Sequence, residues 1–300
     1  MKTRKLTLIF ALSTVVCTVF GQDYTFKVLA NKGSNEVKSG QTWQPLKTGA
    51  SLRETDEIKL SDNAYIGLVH KNGSPLEVKK AGNHTVAELA KSMKTGSSVL
   101  NKYTDFILSS NSAEAKKNRL SATGAVHRDV TDVASLMLIF PATDKAEVFN
   151  STAIVNWEET KASGPYVVSV LNLFEEEIMK IETPEKTAKI DLADPKLAGE
   201  PNLLVEVYSK ADRKVASKQH MIKRMSTAEK ENVKKALSEI MGEVTEPTAL
   251  NKLLLAGFYE EKNLIIDAIA AYEEAVQLAP DVPTFKEAYD EFLLRQNLKK

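Results

Sequence analysis

The chain has 300 residues, and its 40 lysines and arginines balance its 40 aspartates and glutamates. That balance, with no basic stripe anywhere, removes the electrostatic argument for a nucleic-acid partner. The length suits two or three ordinary domains of about 100–150 residues each, and the only cysteine, Cys17, excludes a fold stapled by disulfides.

Lys2, Arg4 and Lys5 precede an apolar run over 6–20, and Val19 and Gly21 flank a cleavage point before Gln22. This is the arrangement of a secretory signal peptide over 1–21. The run is short for a membrane span, which takes about 20 apolar residues. The expectation is therefore an exported chain, periplasmic or envelope-associated or secreted, with no transmembrane helix once matured. Cys17 leaves with the signal, and Val16 in front of it does not suit the lipidation site of a bacterial lipoprotein.

Alternating runs over 24–30, 41–47, 57–60, 64–70 and 76–80 predict a small antiparallel β module, with Asn72-Gly73 as a hairpin turn. Trp43 has two readings: an aromatic in the core of this module, or a stacking surface for a sugar. The order Val37, Gly40, Trp43, Leu46, Gly49, Leu52, Asp56, Ile58, Leu60, Ala64, Ile66, Leu68, Asn72-Gly73 resembles the periplasmic domain of FecR-type proteins. The resemblance implies a domain outside the cytoplasm. It does not bring over the family's signalling to a sigma factor, because the preceding segment here looks cleavable and no cytoplasmic half is expected before it.

Thr85 with Glu88 forms a capping box, and Val86, Leu89 and Met93 continue as a helical stripe. Val99, Leu100, Tyr103, Phe106 and Ile107 give a second one. Both apolar faces are expected to cover the β module or each other. The small and charged stretch 111–119 reads as a domain boundary, and His127 beyond it as an exposed linker histidine.

Strands are predicted over 136–140, 153–157, 166–173, 177–182, 187–192, 203–208 and 215–222, which suggests a two-sheet sandwich. Trp157 points inward by alternation. The spacing of Trp157, of 166–170, of Leu192 and of 204–208 resembles fibronectin type III domains, in which a strand tryptophan anchors the core. Glu175-Glu176-Glu177 is the densest acidic run. Adjacent carboxylates on an extended strand point to opposite faces, so it reads as a solvated turn and not as a cation site.

Ser226 and Glu229 make another capping box, Val233, Ala236, Leu237, Ile240 and Met241 a stripe, and Pro247 is expected to open the next helix. Over 246–280, Leu255, Ala256 and Tyr259 share one helical face. Asn263 and Leu264 interrupt, Ala268, Tyr272 and Ala275 face back from a second helix, and Pro280 closes the unit. This pattern resembles the tetratricopeptide repeat (TPR). The resemblance implies two closely packed antiparallel helices that bind polypeptide and do no chemistry. Leu253, Leu254 and Gly257 stand where chaperone-binding repeats clamp a peptide carboxylate, so that ligand class is not expected. A third capping box, Thr284 with Glu287, is expected to start a last helix carrying Phe285, Ala288, Tyr289, Phe292 and Leu293.

His70, His84, His127 and His220 are scattered singly, and the sequence contains no G-x-S-x-G, no H-x-x-x-H and no phosphate-cradling glycine loop. The expectation is a multidomain α+β chain of bacterial, Bacteroidetes-like type: a signal over 1–21, and a FecR-like antiparallel β module with its helical connector over 22–120. A fibronectin- or Ig-like β-sandwich follows over 130–225 and a TPR-like α-helical domain over 226–300. No enzyme activity, cofactor or metal is expected. The function expected is a cell-envelope interaction scaffold or assembly factor that contacts another envelope protein or peptide through its TPR-like helices. Peripheral association with a membrane stays open. The alternatives are a carbohydrate- or peptidoglycan-binding protein and a FecR-like periplasmic regulator.

Overall fold

A computed structural model describes residues 24–93, 99–115, 117, 136–159, 163–240, 242 and 246–299. The signal-like segment, Cys17, His127 and Met241 lie outside them. The chain is mixed α+β with several largely antiparallel sheets. Among the described residues no helix is long and apolar enough to cross a membrane.

The first region holds eight strands: β1 (Phe26–Lys32), β2 (Glu36–Ser39), β3 (Thr42–Pro45), β4 (Ser51–Leu52), β5 (Glu57–Leu60), β6 (Tyr65–His70), β7 (Pro75–Val78) and β8 (Gly82–Thr85). They form two four-stranded sheets, in the orders β4-β1-β6-β7 and β3-β2-β5-β8. A core of Phe26, Val28, Leu52, Ile58, Ile66 and Leu68 lies within them. Asn72-Gly73 turns β6 into β7, with Gly73 at φ +94°. Helix α1 (Val86–Lys91) starts where the Thr85 hydroxyl accepts the Glu88 N–H, and Val86 joins the same core.

β6 is buried on both faces. Ile66 and Leu68 enter the module's own core, whereas Tyr65 and Val69 point the other way, into a second apolar cluster built mainly by helices. β1 divides in the same manner around a register shift between Val28 and Ala30, which turns Leu29 and Ala30 toward the helices. Helix α2 (Val99–Ser110), whose stripe was expected to cover the β module or α1, enters through Leu100, Tyr103 and Ile107 the cluster that Leu29, Ala30, Tyr65 and Val69 of the β module share with the C-terminal helices.

The second region comprises β9 (Leu136–Ile139), β10 (Glu147–Val148), β11 (Thr152–Glu159), β12 (Tyr166–Leu171), β13 (Glu177–Thr183), β14 (Thr187–Asp191), β15 (Asn202–Ser209) and β16 (His220–Arg224). A five-stranded sheet, β10-β16-β15-β12-β13, and a three-stranded one, β14-β11-β9, share one core that includes Trp157, Tyr166, Val168, Ile190 and Val205. The Trp157 and Tyr166 rings meet edge to face at 5.3 Å. The strand expected over 215–222 begins only at His220. The Ser217 hydroxyl accepts the Val207 N–H in place of a ladder carbonyl, leaving an isolated Tyr208–Ala216 bridge.

Among the described residues four helices follow: α3 (Thr227–Ser238), α4 (Ala249–Glu261), α5 (Ile265–Leu278) and α6 (Pro283–Arg295). The capping box of Ser226 and Glu229 forms in full at α3. Pro247 lies ahead of α4 rather than in its first turn, because Thr248 is the N-cap and its hydroxyl accepts the Asn251 N–H. Thr284 caps nothing: α6 begins one residue earlier at Pro283, whose fixed φ suits the first helical position. Asn263 makes the α4–α5 turn at φ +59°, a conformation that asparagine tolerates better than most residues.

Candidate functional site

The α4–α5 hairpin buries Asn251, Glu260 and Asp267, and the two carboxylates among them each reach to another element. Ala256, Ala268, Tyr272 and Ala275 are fully buried and Tyr259 nearly so, while Leu255 is half-buried and Pro280, beyond the end of α5, is exposed. Small residues at 256, 268 and 275 allow two helices to approach closely. Tyr272 lies parallel to Tyr289 of α6 with ring centroids 5.8 Å apart and packs on Phe292 at 4.8 Å.

Glu260 and Arg295 make a two-pronged ion pair between α4 and α6, with N···O distances of 3.0 and 2.9 Å. The Tyr272 hydroxyl donates to the same carboxylate at 3.1 Å, and Arg295 Nη1 donates to Asn111 Oδ1 at 3.1 Å. A pair this buried adds modestly to net stability but fixes which helices meet, since either charge alone would be costly to leave unpaired.

The first β region is joined to the hairpin through Glu77 of β7. Its Oε1 accepts the Leu250 N–H in the first turn of α4 at 3.0 Å and the Tyr65 hydroxyl at 2.7 Å. The other oxygen pairs with Lys79 at 2.7 Å. Burial alone would push the Glu77 carboxyl up, but the bonds from Lys79, from the Leu250 N–H and from Tyr65 hold it below its usual range. A helix N-terminus offers free N–H groups and positive potential, which is what a carboxylate satisfies. The approach is close because Gly67 of β6 has no side chain: a Cβ there would lie 3.1 Å from Leu250 Cδ1.

The second β region is held by Asp267, in the first turn of α5. One oxygen accepts the Phe149 N–H and the other the Asn150 N–H, both at 2.8 Å, in the loop after β10. Asp267 is fully buried, and burial pushes its carboxyl up to about 6 against the opposing pull of these donors. Asn150 Nδ2 also donates to the Tyr259 hydroxyl at 3.2 Å. Further along α5, Asn156 of β11 donates to Glu273 at 2.9 Å and to the Tyr289 hydroxyl at 3.2 Å. Burial raises the Glu273 carboxyl as well. Ile266 of α5 enters the apolar core of the second region.

Helix α2 completes the enclosure. Gly257 of α4 leaves room for Ile107, whose Cδ1 lies 3.1 Å from where a Cβ would stand, and the Tyr103 and Phe258 rings meet edge to face at 5.6 Å. Gly257 thus lets α2 lie close against α4, as Gly67 lets α4 lie close against β6.

The two tryptophans part company. Trp157 is 2% exposed in the core, and its indole N–H has no hydrogen-bond partner among the described residues. Trp43 is not a core residue. It sits half-buried on β3 at the sheet edge, with one neighbouring strand and the Lys38 ammonium 5.9 Å above its ring. Among the histidines, His70 packs edge to face on Phe26 and His220 on Phe140, and His84 Nε2 lies 2.8 Å from the Lys80 carbonyl. Burial pushes the His220 imidazole down. Among the described residues no three His, Cys, Asp or Glu side chains are grouped so as to hold a metal ion.

The arrangement therefore fastens elements to one another through carboxylates and amide N–H groups. Sequence reasoning found the helices and their small and aromatic positions. It missed Glu77, Asp267, Asn156, Gly67 and Gly257. The available signal was local: Asp267 is a lone carboxylate inside the apolar run 264–271, and such a group must find donors when its helix is buried. Compared with known protein families and with characterised proteins, the chain matches none.

Proposed function

We propose that this chain is a non-catalytic, exported cell-envelope protein that serves as an interaction scaffold or assembly factor, with a FecR-like β module, a fibronectin-like sandwich and a TPR-like helical unit. The observation that carries the reading is the enclosure of the α4–α5 hairpin. Its buried carboxylates are engaged by donors of the chain itself, Asp267 by Phe149 and Asn150 and Glu260 by Arg295. The TPR-like pair thus binds polypeptide in cis, as TPRs do in trans, and ties the two β regions into one body. Contact with another envelope protein then falls to outward surfaces and not to the hairpin groove.

Formaldehyde crosslinking in intact cells tests this. The full chain should recover the same small set of envelope proteins in both directions, with each partner used in turn as bait. Recovery of cell-wall glycan without protein would replace the reading with the carbohydrate one. That rival draws on one observation, the half-exposed ring of Trp43 on β3.

A further inference from the structure

Three large apolar side chains are exposed among the described residues, and two of them are neighbours: Leu173 at 50% and Phe174 at 86%. They occupy the turn between β12 and β13, and that turn is tightly bonded. Asn172, only 8% exposed, accepts the Phe174 N–H at 2.9 Å and the Glu176 N–H at 3.0 Å through Oδ1. Its Nδ2 donates to the Glu176 carboxylate at 2.8 Å. Backbone bonds from Asn172 N–H to the Glu176 carbonyl and from Glu175 N–H to the Asn172 carbonyl close the loop. Glu175 sits at φ +64°, where glycine or asparagine is the ordinary choice. An aromatic held on a fixed turn has little conformational freedom left to lose on binding.

The neighbouring strand makes the exposure more telling. β13 is the edge of its sheet and presents Glu177, Lys180 and Glu182 to solvent, a pattern that discourages pairing with a second chain. The edge is guarded while the tip is left apolar. Neither Glu175 nor Glu176 forms an ion pair among the described residues, so two uncompensated carboxylates adjoin Phe174.

We propose that Leu173 and Phe174 form an anchor that inserts into an apolar socket, rimmed by lysine or arginine, on a partner protein. Aromatic side chains entering such pockets dominate the energetics of many interfaces. The adjoining carboxylates select the partner. A basic rim would compensate them and steer the encounter, whereas an anionic lipid surface, or the same turn of a second copy, would repel them. The inference rests on the scaffold reading and names its surface.

The test places a benzophenone-bearing phenylalanine analogue at position 174 of the full chain and irradiates intact cells. The expected product is a single envelope protein, joined through a segment that contains apolar and basic residues. With that protein purified, Phe174→Ser and Leu173→Ser should each weaken binding at least tenfold while leaving the melting temperature unchanged. Glu175→Lys should weaken it less and abolish the dependence of the association rate on salt. Crosslinks to lipid, to a second copy or to nothing overturn the anchor, as does unchanged binding by Phe174→Ser. Formaldehyde crosslinking, which needs no particular position, separates the two failures. A partner recovered by formaldehyde but not through position 174 sinks the anchor alone, and no partner by either route sinks the scaffold reading with it.

Discussion

The two β regions are attached to the α4–α5 hairpin by carboxylates that run in opposite directions. At the first joint the sheet lends Glu77 to an N–H of a helix; at the second the helix lends Asp267 to two N–H groups of a loop. The hydrogen-bond chemistry is the same, but the electrostatic setting is not. Glu77 keeps Lys79 at 2.7 Å, and its carboxyl is held down. Asp267 is fully buried and forms no ion pair among the described residues, and burial pushes it up to about 6.

Proton linkage therefore works in opposite senses at the two joints. Stability from Glu77 is present above its unfolded pKa, about 4, and is lost as pH falls through the lower folded value. Stability linked to Asp267 is fully present below about 4, and is lost as pH rises through about 6. A half-buried carboxylate with an ion-pair partner and a fully buried one are thus not interchangeable as fasteners.

The most severe way to break this comparison is to remove the element that both joints share. Ala268→Glu forces a charge into the fully buried face of α5 and should cost about 4 kcal/mol or more. Calorimetry should then show both β regions losing their cooperative melting together. Two unchanged transitions would mean that each region stands without the hairpin.

Asp267→Asn sharpens the asymmetry. Asparagine does not titrate and turns an amide N–H₂ toward one of the two N–H donors, so the variant is less stable throughout. The advantage of the parent chain should shrink by about 3 kcal/mol between about pH 3 and about pH 8, the free-energy equivalent of a shift of about two pH units, with most of the change falling between pH 4 and pH 7. Urea denaturation at several pH values reads this directly, and a constant difference would contradict the buried, unpaired state of the carboxylate.

Glu77→Gln has the smallest expected effect. The amide oxygen still accepts the Leu250 N–H, while the Lys79 pair is lost, at about 1 kcal/mol near neutral pH. Its pH series should slope the other way from that of Asp267→Asn, with the penalty fading as the solution becomes acidic. A penalty that grows on acidification would show that the two joints do not differ in sign.

Features that depend on near neighbours in the chain were legible in the sequence: Asn72-Gly73 as a hairpin, the Ser226–Glu229 box, and the small and aromatic positions from Ala256 to Ala275. Features that depend on which surface meets which were not. The stripe of α2 says that Leu100, Tyr103 and Ile107 are buried but not against what, since the room for Ile107 is made by a glycine in a distant helix. Alternation sets Ile66 and Leu68 on one face, yet the whole run from Tyr65 to Val69 is apolar, a sign that both faces of β6 are covered. Trp43 shows the converse. Size argues for burial, but an edge strand with one neighbour cannot supply enough partners, and the Lys38 ammonium lies over the ring.

The shared hairpin also has a place in time. A ribosome working at about 5–20 residues per second delivers Leu29, Tyr65 and Val69 roughly ten to forty seconds before α4, α5 and α6 exist to cover them. For that interval β1 and β6 show an uncovered apolar face, in a chain whose first residues read as an export signal. Whatever machinery escorts the nascent polypeptide must shield that sheet until the final helices arrive, so loss of the last fifty or so residues would leave an adhesive intermediate rather than a shorter working protein.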